Sequence, residues 1–437
     1  MTTRSTLSLL LALPVLAAPF ALAGCGDHDA PPSPSGAGGA DSSDHPQGSG
    51  ATLADAASLR VEFEELALDG DASSVTDFVF YPGSDTDFLA LDKSGKLLRY
   101  RLVEERAELV ASAQVDGVYD RLDCGAISLA FEPDFAQGNY VYVGTCVSQT
   151  YSEILRLDLD DELNVVEGTE VSVFRVGSTA ATRPWHNVGS IGFEPDGTMW
   201  AIFGEKVQGA PAQDLAQDLG KLVRFVPSRE PGLGGSEPAS DNPLLDDAKA
   251  EPAVYALGLR SPFRGTRDSR GFYWIGDVGS DYFEEVNVVR RPLDNFGWPD
   301  QEGPCSDCGD TIAPAFSWPH RGSPDYVVDD PDVETTVARV VIAGPEVVAH
   351  DPDRYGGRLA GSVLFGDYCA GFLRQGRVDD DGVPTLDAPL GHLNNAAAFR
   401  QHTDGYVYAL TFGRCQTDVK NAADEAFSRL YRMVPKD

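Results

Sequence analysis

One pattern recurs along this chain and limits its fold more than any other feature. An apolar run meets a turn containing glycine, and an aromatic-rich alternating run follows. "FLALDKSGKLLRYRL", "SLAFEPDFAQGNYVYVGT", "SIGFEPDGTMWAIFGE", "FRGTRDSRGFYWIGDVG" and "AAFRQHTDGYVYALTFG" are clear instances, and "RYGGRLAGSVLFGDYCAG" is a looser one. Turn residues between runs of period-two alternation mark β-hairpins. A recurrence of about sixty residues is too long for one hairpin and suits a four-stranded sheet with its loops. Helical signal is confined to a turn or two within "PAQDLAQDLGKLVRF". The pattern predicts an all-β fold, a six-bladed β-propeller of four-stranded antiparallel blades, over residues 58–437. A double-sheet sandwich is the alternative, but it has no need of so many similar units. "SRLYRMV" near the C-terminus and the early "LRVEFEEL" are expected to share a blade and close the ring.

The N-terminal segment reads as an address. Arg4 precedes the apolar run "LSLLLALPVLAAPFALAG", which ends in "LAGC", Leu22 to Cys25. This is a secretory signal pattern. Small residues before a cysteine resemble a bacterial lipobox, which makes residues 1–24 a lipoprotein signal peptide and Cys25 the lipidated first residue. An ordinary signal peptide would leave that cysteine unpaired. Residues 25–57 are rich in Gly, Ser, Pro and Asp and almost free of large apolar side chains. Such a stretch cannot bury enough surface to fold and is expected to be a disordered tether. The expected location is therefore outside the cytoplasm, periplasmic or cell-surface, with membrane attachment through the lipid anchor only.

Six further cysteines remain: Cys124, Cys146, Cys305, Cys308, Cys369 and Cys415. An even number in an exported chain implies disulfides. Fifteen pairings are possible, and the expected set is Cys124 with Cys146, Cys305 with Cys308, and Cys369 with Cys415. "CSDC" is also half of a zinc pattern, but no second Cys-x-x-C or nearby His pair completes it. The charge excludes one class of partner. With 68 acidic against 34 basic residues the formal charge is −34, so nucleic acid is not an expected partner. Surplus carboxylates can instead recruit a hard cation such as calcium.

Several longer motifs stand in one order: "LAFEPDFAQGNYVYV", "LGKLVRF", "SDNPLL", "YALGLRSPFR", "WIGDVGSDYFEEVNVV", "NFGWPDQEG" and "LFGDYCAG". Together they resemble the glucose/sorbosone dehydrogenase family, six-bladed propellers of which many use pyrroloquinoline quinone (PQQ) and calcium to oxidise sugars. The resemblance implies roles residue by residue. His186, in His186-Asn187-Val188-Gly189, falls where the family has a His-Asn-Gly-Gly motif whose histidine removes the proton of the sugar hydroxyl. Imidazole suits that task because its pKa lies near working pH. Arg260 matches an arginine beside the quinone oxygen, where a guanidinium stabilises developing negative charge. Carbonyls near Gly279 and Ser280 match the loop that ligates calcium at the cofactor, and Glu285 matches an acidic ligand of a second calcium.

PQQ carries three carboxylates, so cations are required. Arg374, Arg377 and Lys206 are the candidates, with Asp123 standing where relatives have Glu or Gln. The departures fall around the same face. Val188 replaces a glycine beside the base and is expected to narrow the approach. "AIFGEK" stands where "STGD" is common, and Cys124 occupies a position often held by arginine. The leading expectation is PQQ- and calcium-dependent oxidation of an aldose, with electrons passed to an external acceptor. The alternative is a non-enzymatic extracytoplasmic propeller that binds a glycan or protein partner. A metal-dependent lactonase is weaker, since no clear set of inward carboxylates and histidines supports it.

Overall fold

A computed structural model describes residues 59–436, except 71, 134–138, 321–339, 381–382, 387–388 and 414–427. The leader, Cys25 and the tether thus lie outside the described residues. So does Cys415, and with it the expected Cys369–Cys415 pair.

Six antiparallel sheets form the blades. Their innermost strands are Val75–Phe80, Ala126–Phe131, Val188–Phe193, Pro262–Arg267, Val341–Val347 and Ala396–Gln401. Each packs against the next, and the sixth against the first, so the sheets form a closed ring. Blade three, for example, runs outward through Val188–Phe193, Met199–Phe203, Lys221–Pro227 and Ser236–Pro238. Blade six takes its outermost strand from the start of the propeller. Val61–Leu68 pairs antiparallel with Arg429–Pro435, in register from Val61 opposite Pro435 to Leu66 opposite Leu430. This is the expected closure.

Inner strands are not alternately buried. Asp87–Asp92 and Ala126–Phe131 are buried at every residue, because a neighbouring blade covers each face. Outer strands such as Arg106–Gln114 are mostly exposed, with only Ala107 and Ala113 buried. Six apolar clusters fill the interfaces, one between each pair of adjacent blades. The ring axis is polar and plugged. Arg264, fully buried in blade four, donates to the Thr76 carbonyl of blade one at 2.6 Å and to the Ala397 carbonyl of blade six at 2.7 Å. Asp77 accepts from Arg400 at 2.7 Å and from the Leu129 N–H at 2.9 Å. Chemistry is therefore left to the loops at the ends of the ring.

One end carries the loops that enter each innermost strand and those that leave each second strand. His186, Arg260, Asp123, Lys206, Gly279 and Ser280 all lie on these loops. The short helical turn expected in "PAQDLAQDLG" is the 3₁₀ segment Ala210–Gln213, on the same end.

Candidate active site

Strand pairing assembles the site. In blade three, Val188 pairs with Phe203. Two residues further out on each side stand His186 and Glu205, and Nδ1 of His186 bonds Oε1 of Glu205. In blade four, Pro262 pairs with Asp277. Two residues out on each side stand Arg260 and Gly279, and the guanidinium donates to the Gly279 carbonyl at 2.7 Å. Equivalent corners of adjacent blades thus supply a base with its orienting carboxylate, and a fixed cation.

The backbone is built tightly here. His186, Lys206 and Val207 have φ of 52°, 57° and 60°, a left-handed conformation costly for residues other than glycine and found where surrounding structure enforces it. Gly204 is required by close packing rather than by its own backbone conformation. A Cβ there would fall 2.6 Å from the carbonyl carbon and oxygen of His186. Gly204→Ala should push His186 away from Glu205, lowering both kcat and thermal stability, the latter by about 1–3 kcal/mol. Activity assays and thermal melts check this; unchanged values for both would contradict the packing described.

Glu205 is held on every side. The N–H groups of Gln208 and Gly209 donate to Oε2. Burial pushes its carboxyl up, but the bonds from His186, Gly209 and Gln208 win and keep it below the usual carboxylate range. The His186 imidazole is lowered, first by burial and then by the charge of Arg260, against the pull of Glu205. A carboxylate at Nδ1 fixes the tautomer whose Nε2 carries the lone pair.

Arg260 also donates to the Val278 carbonyl at 2.8 Å, and its guanidinium carbon lies 5.3 Å from the Trp298 ring centre. Its N–H, and that of Ser261, donate to the buried carboxylate of Asp277 at 2.9 and 2.7 Å. Burial, reinforced by the facing Glu285, pushes Asp277 up to about 8. Three N–H donors around Arg260 and Glu205 are buried with no acceptor: Arg260 Nε, Gln208 Nε2 and Trp298 Nε1. Such orphaned donors call for an acceptor-rich group. PQQ, with its carboxylates and quinone oxygens, has that chemistry, and Arg260, Gln208 and Trp298 fit it, with Arg260 in place of the three cations expected for its carboxylates. Asp123 is accessible but ringed by loops that desolvate it, so its carboxyl is raised, while His186, Lys93 and Arg260 act against the shift.

Several expected residues are placed elsewhere or otherwise engaged. Lys206 is buried, and its ammonium donates inward to Asn187 Oδ1 at 2.5 Å and Ser152 Oγ at 3.1 Å. Burial lowers it to about 8. It positions the residue next to His186 rather than facing a cofactor carboxylate. Arg374 and Arg377 lie within Phe372–Val378, the third strand of blade five, rather than on a site loop. Arg377 donates to the Arg358 carbonyl at 3.0 Å, towards the opposite end of the ring. Val188 does not narrow the approach, because its side chain is buried in the core between blades two and three. The Cys124–Cys146 and Cys305–Cys308 disulfides are present as expected.

The expected calcium ligands do not form a cation cage. The Gly279 carbonyl is taken by Arg260. The N–H groups of Ser280, Asp281, Tyr282 and Phe283 all donate to Glu302 Oε1, at 2.9 to 3.1 Å. Glu285 accepts from the Gly303 N–H and from Asn287; burial pushes it up to about 7. Glu205, Gln208, Trp298 and Glu302 are the site residues that sequence reading missed. A carboxylate just beyond the end of a second strand was the available signal for Glu205.

One end of the propeller thus carries a carboxylate-oriented histidine beside a guanidinium. The chain belongs to the glucose/sorbosone dehydrogenase family, whose sequence model matches residues 76–416. The family consists of sugar-oxidising dehydrogenases. The HIPL1 protein of Arabidopsis thaliana is 36% identical over 134 residues, 27% of this chain and 19% of the plant protein. The uncharacterized protein slr1608 of Synechocystis is 26% identical over 303 residues, 66% of this chain and 68% of that protein. The fold matches the PQQ-bound aldose sugar dehydrogenase of Streptomyces coelicolor with a TM-score of 0.62 and 21% identity, over 86% of this chain and 98% of that one. It matches the apo soluble aldose sugar dehydrogenase of Escherichia coli with a TM-score of 0.65 and 21% identity, over 86% and 100%.

Proposed function

We propose that this chain oxidises an aldose with PQQ as its cofactor, on an exported domain tethered through residues 25–57 to a lipid on Cys25. The observation that carries the reading is the His186–Glu205 pair beside Arg260, which places a proton acceptor next to a fixed positive charge. Bound there, PQQ supplies a quinone that accepts hydride. Arg260, with the free donors of Gln208 and Trp298, would hold its oxygens. His186 takes the proton of the sugar hydroxyl at Nε2, and Glu205 stabilises the imidazolium that results. Arg260 opposes that protonation, which favours the neutral base in the resting site. Electrons then leave to an external acceptor.

Adding PQQ to the purified soluble domain should give dye reduction with members of an aldose panel. A flat spectroscopic titration with PQQ would contradict this reading and favour a propeller that only binds a glycan or protein. The pH profile follows from His186. The base must be neutral, and burial lowers its pKa, so kcat/KM should fall only as pH drops below the ordinary imidazole value of about 6.5. It should be level from there towards pH 8, where Lys206 and Asp277 titrate. An acid limb centred well above the ordinary imidazole value would show that another group titrates.

A further inference from the structure

We infer that the Arg260 guanidinium, rather than a divalent cation, supplies the positive charge of loop 278–283, and that this loop binds no calcium. For its cofactor, the inference rests on the PQQ reading above. Calcium needs six to eight oxygen ligands at short range. The carbonyls of Val278 and Gly279 already accept from Arg260, at 2.8 and 2.7 Å. A cation bound to the same oxygens would sit against the guanidinium with little water to screen the repulsion. The rest of the loop presents donors. Four consecutive N–H groups, Ser280 to Phe283, converge on one oxygen of Glu302. Because a peptide is planar and trans, each of these N–H groups turns the preceding carbonyl the other way. The Ser280 carbonyl therefore points away from Glu302, and the two cannot share an ion.

The neighbouring carboxylates are also committed to N–H donors. Asp277 accepts from the backbone of Arg260 and Ser261, and Glu285 from Gly303 and Asn287. The loop is folded closely on itself. A Cβ on Gly279 would meet the Phe283 carbonyl oxygen at 1.6 Å and Glu302 Oε1 at 2.7 Å. Among the described residues, no group of three or more His, Cys, Asp or Glu side chains could hold a metal.

Two measurements test this. PQQ is titrated into the soluble domain, with binding read by tryptophan quenching, in excess EGTA and in excess calcium chloride. Terbium is added to the apo domain, and its tryptophan-sensitised emission is compared between wild type and Trp298→Phe. The expected results are the same PQQ dissociation constant in both buffers and no terbium emission that depends on Trp298. A loss of PQQ affinity of about tenfold or more in EGTA, some 1.4 kcal/mol, restored by calcium, would overturn the inference. So would Trp298-dependent terbium emission that calcium displaces. Absence of PQQ binding in both buffers would remove the PQQ reading, and the terbium measurement would still decide whether the loop takes an ion.

Discussion

Replacing His186 with asparagine should lower kcat by about 10²–10⁴-fold, the usual share of a positioned general base, while PQQ still binds. Asparagine is the informative substitution because position 186 has φ of 52° and asparagine tolerates that conformation better than alanine. The fold is preserved, and the group that can take up a proton is gone. Arg260 and the unpartnered donors of Gln208 and Trp298 are untouched, so cofactor affinity should be near that of wild type. Partial rescue by added imidazole would identify the lost function as proton removal. A variant with wild-type kcat would show that the proton leaves by another route.

Glu205→Gln should cost nearly as much, about 10²–10⁴-fold in kcat by analogy with the orienting aspartate of serine proteases, with little change in KM. The amide keeps the shape of the side chain. Its nitrogen can donate to Nδ1, which favours the tautomer with hydrogen on Nε2 and leaves no lone pair for the sugar proton. The bonds from Gln208 and Gly209 weaken as well, since they lose a charged acceptor. The double variant His186→Asn, Glu205→Gln should be no slower than His186→Asn alone, because the two residues act as one unit. Additive losses would mean that Glu205 works on something other than the imidazole. Nitrogen NMR of the imidazole reads the tautomer directly.

Much of this molecule can be read from the chain. Turns such as Asp196-Gly197 announce the hairpins, and their repeated, though unevenly spaced, recurrence announces the blades. The closure was legible because "SRLYRMV" is a good strand and the early "LRVEFEEL" can complete its blade. His186 and Arg260, just before inner strands, stood out only through the family motifs that contain them. Glu205 did not, because its link to His186 depends on register: Val188 must pair with Phe203 to bring the two together. Once that pairing is known, the Arg260–Gly279 contact follows from Pro262 opposite Asp277 in the next blade. The missed cations have a different cause. Arg374 and Arg377 were assigned by nearness to a motif, but they fall on a third strand. Lys206 is on the right loop and turned inward, which the order of residues does not reveal. Val188 reads as an obstruction until the blade interface that buries it is known.

Single-turnover reduction of bound PQQ tests the central claim most directly. The soluble domain is loaded with PQQ, mixed rapidly with an aldose, and followed by the absorbance of the cofactor with no electron acceptor present. A rapid, aldose-dependent loss of the quinone spectrum is expected in the wild-type protein, slowed by about 10²-fold or more in His186→Asn. Bound PQQ that no aldose reduces, or that is reduced equally fast in the two proteins, would contradict the claim.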